Sequence, residues 1–322
     1  VYRRVRSPAD GSFLHPVNFD ALPPASCLNQ EQFWILKKDS CEENVSMSFV
    51  DFAERGSKKA LSDWDGAQLR FCSMTDVGMV RKNNEDSYAI SEDLGLFVVA
   101  DGMGGRAGGE VASALAVETV QSEVKVRYRE LFGSDVPTRE IIMRQAINTA
   151  CLNIYSRSLE LPHLRGMGTT TTALWLPRRT SSEDTQIGST KALVTHVGDS
   201  RCYLLRAGLL YQLTLDHSLF QEKVRAGVLS PDSSLHPQLK SQITRCVGYE
   251  EDEEVDLISF QPYRGDRFLL CSDGLSNKIS DKEIGELLAE DDLPWVAEHL
   301  VELAKERGGE DNITVILVAL EN

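Results

Sequence analysis

Four apolar runs in this 322-residue chain begin or end on an aspartate, and that placement limits the folds open to it. Asp101 follows Leu96-Phe97-Val98-Val99-Ala100, and Asp199 follows Ala192–Gly198. Asp273 follows Phe268-Leu269-Leu270-Cys271-Ser272, and Asp311 precedes Asn312-Ile313-Thr314-Val315-Ile316. Short apolar runs bounded by turn residues read as buried strands. Three of the four aspartates adjoin a glycine (Gly102, Gly198, Gly274), which lets backbone approach whatever sits beside them. Taken singly, each is an ordinary turn former. Four at strand ends, in a chain with no Cys or His cluster, favour an oxygen-ligand site. Carboxylates, carbonyls and water suit hard cations such as Mg2+ or Mn2+.

The pattern between these points is mixed. Leu69–Ser73 reads as a first strand, and Ser87–Ser91 with Leu96–Ala100 as a hairpin. Glu110–Leu131 and Thr138–Leu161 read as helices, the second with Ile142, Ala146, Ala150 and Ile154 on one face. Strands return at Thr169–Leu176 and Lys191–Val197, joined by a polar loop at Pro177–Thr190, and at Arg201–Arg206 and Leu209–Leu213 around Ala207-Gly208. A short helix is predicted over Ser218–Ala226, with an irregular stretch from there to Lys240. Then come strands at Glu254–Phe260 and Arg267–Ser272, helices at Asp281–Leu288 and Trp295–Glu306, and a last strand at Asn312–Leu320. Paired helices and tightly connected strands predict an α+β fold with largely antiparallel sheets, not a βαβ chain. Residues 1–68 differ, with clustered prolines and weak periodicity. They read as an N-terminal extension or the remnant of a preceding domain with no legible role, ahead of a folded domain at 69–322.

Charge narrows the partners. Lys and Arg number 34 against 49 Asp and Glu, a net charge of −15. Residues 1–68 hold only 8 of the basic and 10 of the acidic side chains, so most of the excess belongs to the folded part. Such a body repels nucleic-acid phosphates and anionic membranes, so neither is an expected partner. No run of about 18 apolar residues exists, so no membrane span is expected. No apolar stretch follows Val1–Arg6, so no secretory leader is expected either. Seven scattered cysteines without a CxxC spacing argue against a disulfide framework and a thiolate zinc site, and the expected location is the cytoplasm.

The motifs around the aspartates resemble those of the PPM-type, or type 2C, metal-dependent protein serine/threonine phosphatases in their bacterial form. The pieces are Thr75-Asp76-Val77-Gly78 with Arg81 and Asn84-Glu85-Asp86; Val99–Gly105; Gly166–Thr170; and Val197–Arg201. Further on they are Leu213–Ser218, Ile243–Gly248, Leu270–Leu275 and Asp311–Thr314. The resemblance runs from about Arg70 to Leu320 and is strong because these matches share the family's order and spacing. It implies an antiparallel β-sandwich flanked by helix pairs, in α-β-β-α layers, with two Mn2+ or Mg2+ ions in a cleft at one edge. It implies that Asp101 bridges the ions, that Gly102 offers its carbonyl to the second, and that Asp273 and Asp311 complete the first. Glu85 and Asp86 would act through bound water, Arg81 would grip the substrate phosphate, and Asp199 with Asp273 would make a third, weaker site. The implied activity is hydrolysis of phosphoserine and phosphothreonine in proteins by a metal-activated water. It would oppose a Ser/Thr protein kinase, as a monomeric catalytic domain. A guanidinium fork matches phosphate oxygens, and two cations both acidify a shared water and offset phosphate charge.

Other readings stand beside this one. Arg81 could instead pair with Glu85 one helical turn on. Thr169–Thr172 reads as strand packing, and His217 as a structural histidine rather than a catalytic one. Gly104-Gly105 and Gly108-Gly109 lack the Lys-Ser/Thr of a phosphate cradle, so they read as a tight loop after Asp101. Met103 stands where eukaryotic members often carry a His thought to protonate the leaving group, and Met has no proton to transfer. Leu219–Gly248 resembles the bacterial family's flap. A pseudophosphatase that binds a phosphoprotein partner without efficient turnover, or a phosphatase regulated by its N-terminal part, is the alternative function.

Overall fold

Along Leu96–Ala100 successive side chains enter two different cores. Leu96, Val98 and Ala100 pack on one face, and Phe97 and Val99 on the other. Phe268–Cys271 and Val315–Leu320 alternate in the same way between a shared inner core and a second outer one. Strands that are apolar on both faces must be covered on both, and four layers supply the cover.

The computed structural model describes residues 5–6, 13–14, 68–104, 108–128, 138–176, 191–230 and 237–321. Apart from a two-residue bridge between Val5–Arg6 and Phe13–Leu14, its elements begin with β1 (Gln68–Asp76), β2 (Asp86–Ser91), β3 (Leu96–Met103), α1 (Gly108–Tyr128) and α2 (Arg139–Glu160). They continue with β4 (Gly168–Thr169), β5 (Thr171–Trp175), β6 (Ala192–Val197), β7 (Arg201–Arg206), β8 (Leu209–Gln212), α3 (Leu219–Arg225) and α4 (Pro237–Lys240). The last are β9 (Asp256–Phe260), β10 (Arg267–Cys271), α5 (Asp273–Ser276), α6 (Asp281–Leu288), α7 (Leu293–Glu306) and β11 (Ile313–Glu321). One sheet runs β8-β7-β10-β11-β1 and the other β9-β6-β5-β3-β2, with β4 added beside β3. Every pairing is antiparallel. Phe97, Val99, Leu174, Val194, Leu204, Phe268, Leu270, Ile316 and Val318 fill the space between the sheets. Helices α1 and α2 cover the outer face of the second sheet, and α6 and α7 that of the first. Each large apolar side chain so enclosed stabilises the fold by about 1.5–3 kcal/mol.

The predicted α+β sandwich with flanking helix pairs is therefore the observed one. Local chemistry sets the element ends. Thr138 accepts from the Ile141 N–H to open α2, and Ser280 and Glu283 form a reciprocal capping box at α6. The strand expected over Thr169–Leu176 is interrupted at Thr170, which lies opposite Asp101: the Thr170 N–H keeps its cross-strand bond to the Asp101 carbonyl, but the Asp101 N–H turns to the Thr170 hydroxyl. The short helices α4 and α5 were not expected. Each is a single turn, too short to show a helical period in sequence. The Pro177–Thr190 loop and, apart from Val5–Arg6 and Phe13–Leu14, residues 1–67 lie outside the described residues.

One local strain stands out. The β7–β8 turn has φ of +55° at Ala207 and +78° at Gly208, the signature of a two-residue hairpin turn that favours Asn-Gly. Alanine in this left-handed region costs roughly 1 kcal/mol. Ala207→Asn should raise stability by about 0.5–1 kcal/mol. In a domain of this size that is a rise of roughly 1–4 °C in Tm, and an unchanged or lowered midpoint in a melting curve would contradict it.

Candidate functional site

The shared interior of the two sheets turns polar at one end. Strand parity that sends Phe97 and Val99 inward sends Asp101 the same way, and that of Phe268 and Leu270 does so for Ser272. Asp86 opens β2 directly opposite Asp101. Ser272 Oγ donates to Asp86 Oδ2 at 2.7 Å and accepts the Thr314 N–H at 3.0 Å, so one hydroxyl joins the two sheets here. Sequence reading gave Ser272 no task. Its signal is a polar residue at an inward position just past an apolar strand.

The backbone of Asp101 is held on both sides. Its N–H donates to Thr170 Oγ1 at 2.9 Å, and its carbonyl accepts from the Thr170 N–H and Thr169 Oγ1, each at 2.8 Å. Thr169–Thr172 are buried, as packing residues would be, but their hydroxyls also bond Asp101 and Ser200. The packing reading is corrected to that extent. Gly102 donates its N–H to the Glu85 carbonyl at 3.1 Å, and a Cβ on Gly102 would come 2.0 Å from the Gly109 carbonyl. Only glycine lets the end of β3 lie against the first turn of α1. Met103 pairs across to Gly168.

Asn312, almost wholly buried, stitches the loop before β2 to the start of β11. Its Oδ1 accepts the Glu85 N–H at 2.8 Å, and its Nδ2 donates to the carbonyls of Val77 at 2.9 Å and Asn83 at 3.0 Å. This is a second positioning residue that sequence reading quoted but left without a role. Beside it, Arg81 Nη2 lies 2.7 Å from Asp311 Oδ2, with half of the arginine side chain exposed. The ion pair Arg81 forms is with Asp311, not with Glu85. Asp273 opens α5, accepts from Asn277 Nδ2 at 3.0 Å, and lies within hydrogen-bonding reach of Asp101. Asp199 sits in the β6–β7 turn behind Gly198, whose φ of +111° and close approach to Thr170 exclude a side chain.

The structure thus gathers Arg81, Glu85, Asp86, Asp101, Gly102, Asp199, Asp273 and Asp311 at one end of the sandwich. Their charges conflict. Burial first, then repulsion from Asp86, Asp273, Asp199 and Asp311, drives the Asp101 carboxyl well above its ordinary range. Burial also drives up Asp199, with Asp273 and Asp216 adding, and Asp273, with Asp311 adding. Burial pushes Asp86 up to about 7 despite the hydroxyl of Ser272, and raises Glu85 despite Arg81. Asp86 Oδ1 and Asp199 Oδ1 are buried without a hydrogen-bond partner. Among the described residues, no three His, Cys, Asp or Glu side chains close into a preformed cage. Asp311 is turned to Arg81, and Asp273 to Asn277. The donor chemistry, the mutual repulsion and the two partnerless oxygens nonetheless fit hard divalent cations, which favour ionised carboxylates.

Residues 80–317 match the family model described as protein phosphatase 2C. The chain is 38% identical over 253 residues to the serine/threonine protein phosphatase PstP of Mycobacterium tuberculosis, covering 77% of this chain but only 44% of that protein. It is 36% identical over 248 residues to the serine/threonine phosphatase stp of Listeria monocytogenes, covering 76% of this chain and 93% of the other. The M. tuberculosis PstP crystal structure superposes with a TM-score of 0.68 at 36% identity, covering 79% of this chain and 99% of that one. A structure of a PstP catalytic domain in complex with two manganese ions gives 0.63 at 33% identity over 79% and 99%.

The raised carboxyls also bear on stability. A carboxyl whose pKa is higher in the fold than in the unfolded chain favours the fold while protonated, and stops doing so as pH rises through the folded value. Between the ordinary value of about 4 and about 7, where Asp86 titrates, the ion-free protein should lose this contribution. Mn2+ should therefore raise the melting temperature more at pH 8 than at pH 5.5. Melting curves with EDTA and with Mn2+ test this, and taking their difference cancels carboxylates elsewhere. An increment that does not grow with pH would show that the cluster does not take up cations in this way.

Proposed function

The chain belongs to the protein phosphatase 2C family, and on that premise we propose that residues 69–322 hydrolyse phosphoserine and phosphothreonine in proteins, as a monomeric domain opposing a Ser/Thr protein kinase. The observation that carries the reading is the buried carboxylate cluster with partnerless Asp86 and Asp199 oxygens and an arginine at its rim. No helix among the described residues is long and apolar enough to cross a membrane. The five cysteines among the described residues are unpaired, which suits a reducing compartment, and the cytoplasm is the proposed location.

Mn2+ or Mg2+ would be held by Asp101, the Gly102 carbonyl, Asp273 and Asp311, with Asp199 and Asp273 serving a third, weaker site and Glu85 and Asp86 acting through water. When bound, such ions offset the charge of the phosphate oxygens and acidify the attacking water. Arg81 grips the phosphate. A guanidinium carries five donors, and the Asp311 contact uses one of them. The Ser272 hydroxyl holds the Asp86 carboxylate, and the Thr169 and Thr170 hydroxyls and the Asn312 amide hold the backbone that carries Asp101 and Glu85, before substrate arrives, so little reorganisation remains for the reaction. Met103 has no proton to give, so the leaving oxygen takes its proton from water or from another side chain.

Hydrolysis of a phosphothreonine peptide by EDTA-treated protein should appear only on addition of Mn2+ or Mg2+. Asp273→Asn should lower turnover by at least about a hundredfold, because a neutral amide is a poor substitute for an anionic ligand. Its melting temperature without metal should not fall, since the variant removes a repelled charge. Unimpaired hydrolysis by that variant would overturn the assignment.

A further inference from the structure

In the turn that carries Asp199, Thr170 and Thr172 hold Ser200, and both polar backbone groups of Gly198 are held by one further residue from outside the carboxylate cluster. The His217 backbone N–H donates to the Gly198 carbonyl at 2.7 Å, and His217 Nδ1 accepts the Gly198 N–H at 3.1 Å. Both polar backbone atoms of the glycine just before Asp199 therefore end on His217. With Nδ1 accepting, the ring proton sits on Nε2. That nitrogen lies 3.4 Å from Asp256 Oδ2. Arg245 Nη1 donates to Asp256 Oδ1 at 3.0 Å and approaches Nε2 to 3.4 Å. The His196 ring lies against the imidazole with centroids 4.8 Å apart, and its Nδ1 shares a hydrogen with Thr172 Oγ1 at 2.9 Å.

This geometry separates two roles for His217. An Nε2–H turned to Asp256 in a ring only 2% exposed is not presented to a leaving oxygen. The Nδ1 side acts on the backbone that aims Asp199, whose Oδ1 has no hydrogen-bond partner and so is not steered from its own tip. Burial raises the Asp256 carboxyl, but its contacts with His217 and Arg245 outweigh this and hold it below the usual range, as expected of an anion facing an N–H donor.

We propose that His217 is a positioning residue of the reaction: by clamping Gly198 it aims the Asp199 carboxylate at a cation, and Asp256 with Arg245 keeps the ring in the tautomer that can do so. The inference rests on Asp199 being a ligand of the third, weaker site proposed above. Partners that orient a metal ligand typically change affinity by about 10–100-fold when lost.

The test is Mn2+ titration calorimetry on the EDTA-treated full chain, with peptide kinetics alongside. His217→Phe keeps the ring volume and removes both ring nitrogens. It should weaken the lowest-affinity Mn2+ step about tenfold, leave the tighter steps unchanged, and lower kcat more than KM. His217→Asn places an amide oxygen where Nδ1 was and should recover most of the loss, whereas His217→Gln reaches past Gly198 and should not. If the Phe variant does not fold, the Asn and Gln comparison decides alone, and equal Mn2+ binding by those two overturns the proposal. An Asp199→Ala protein that keeps the weak step overturns the ligand role and the proposal with it. If Asp199→Ala loses that step while the His217 variants keep it, only the positioning role fails.

Discussion

Repulsion among carboxylates at the end of an apolar sandwich is the constraint to which the rest of the structure answers. Asp86, Asp101, Asp199 and Asp273 are driven above their ordinary pKa by burial and by one another. Such a cluster opposes folding unless the surroundings supply enough compensation. Here a continuous double-sided core does so, with strands such as Leu96–Ala100 buried on both faces and two helix pairs closing the outer layers. The site is held by groups that orient an anion without neutralising it. They are the Ser272 hydroxyl, which bonds the Asp86 carboxylate, and the Thr169 and Thr170 hydroxyls and the Asn312 amide, which fix the backbone of Asp101 and Glu85.

The fold was legible because its strands are apolar on both faces and therefore stand out from the helices as short continuous runs. The β2–β3 and β7–β8 hairpins, the two long helices and β11 lie within a few residues of where the pattern puts them. What escaped was short or set by tertiary contacts. The single turn α5 is closed by Asn277, whose backbone N–H and side chain both bond Asp273, and the break at Thr170 comes from a bond to Asp101, 69 residues away in sequence. The candidate site was legible as aspartates at strand ends, because acidic residues beside apolar runs are conspicuous. Its supporting residues were not. Ser272, Asn312 and the threonines are ordinary strand-end and strand residues in sequence, and only the pairing of the strands shows that Ser272 meets the Asp86 carboxylate and that the others meet the backbone of Asp101 and Glu85.

The choice of neutral supports has a consequence for the ions. A lysine or arginine buried among the carboxylates would relieve their repulsion and compete directly with a divalent cation for the same oxygens. Among the described residues, the guanidinium that contacts the cluster, Arg81, stands at the rim, where it is half exposed and its partner Asp311 is more than a third exposed. Solvent screening makes such a pair worth little, on the order of 1 kcal/mol or less, so a cation or a phosphate can displace it at small cost. Deeper in, the two partnerless oxygens belong to Asp86 and Asp199. On the proposed assignment, the charge imbalance is therefore largest where the ions would bind and smallest where substrate would enter. A site built this way draws its affinity for cations from the same repulsion that weakens the ion-free fold.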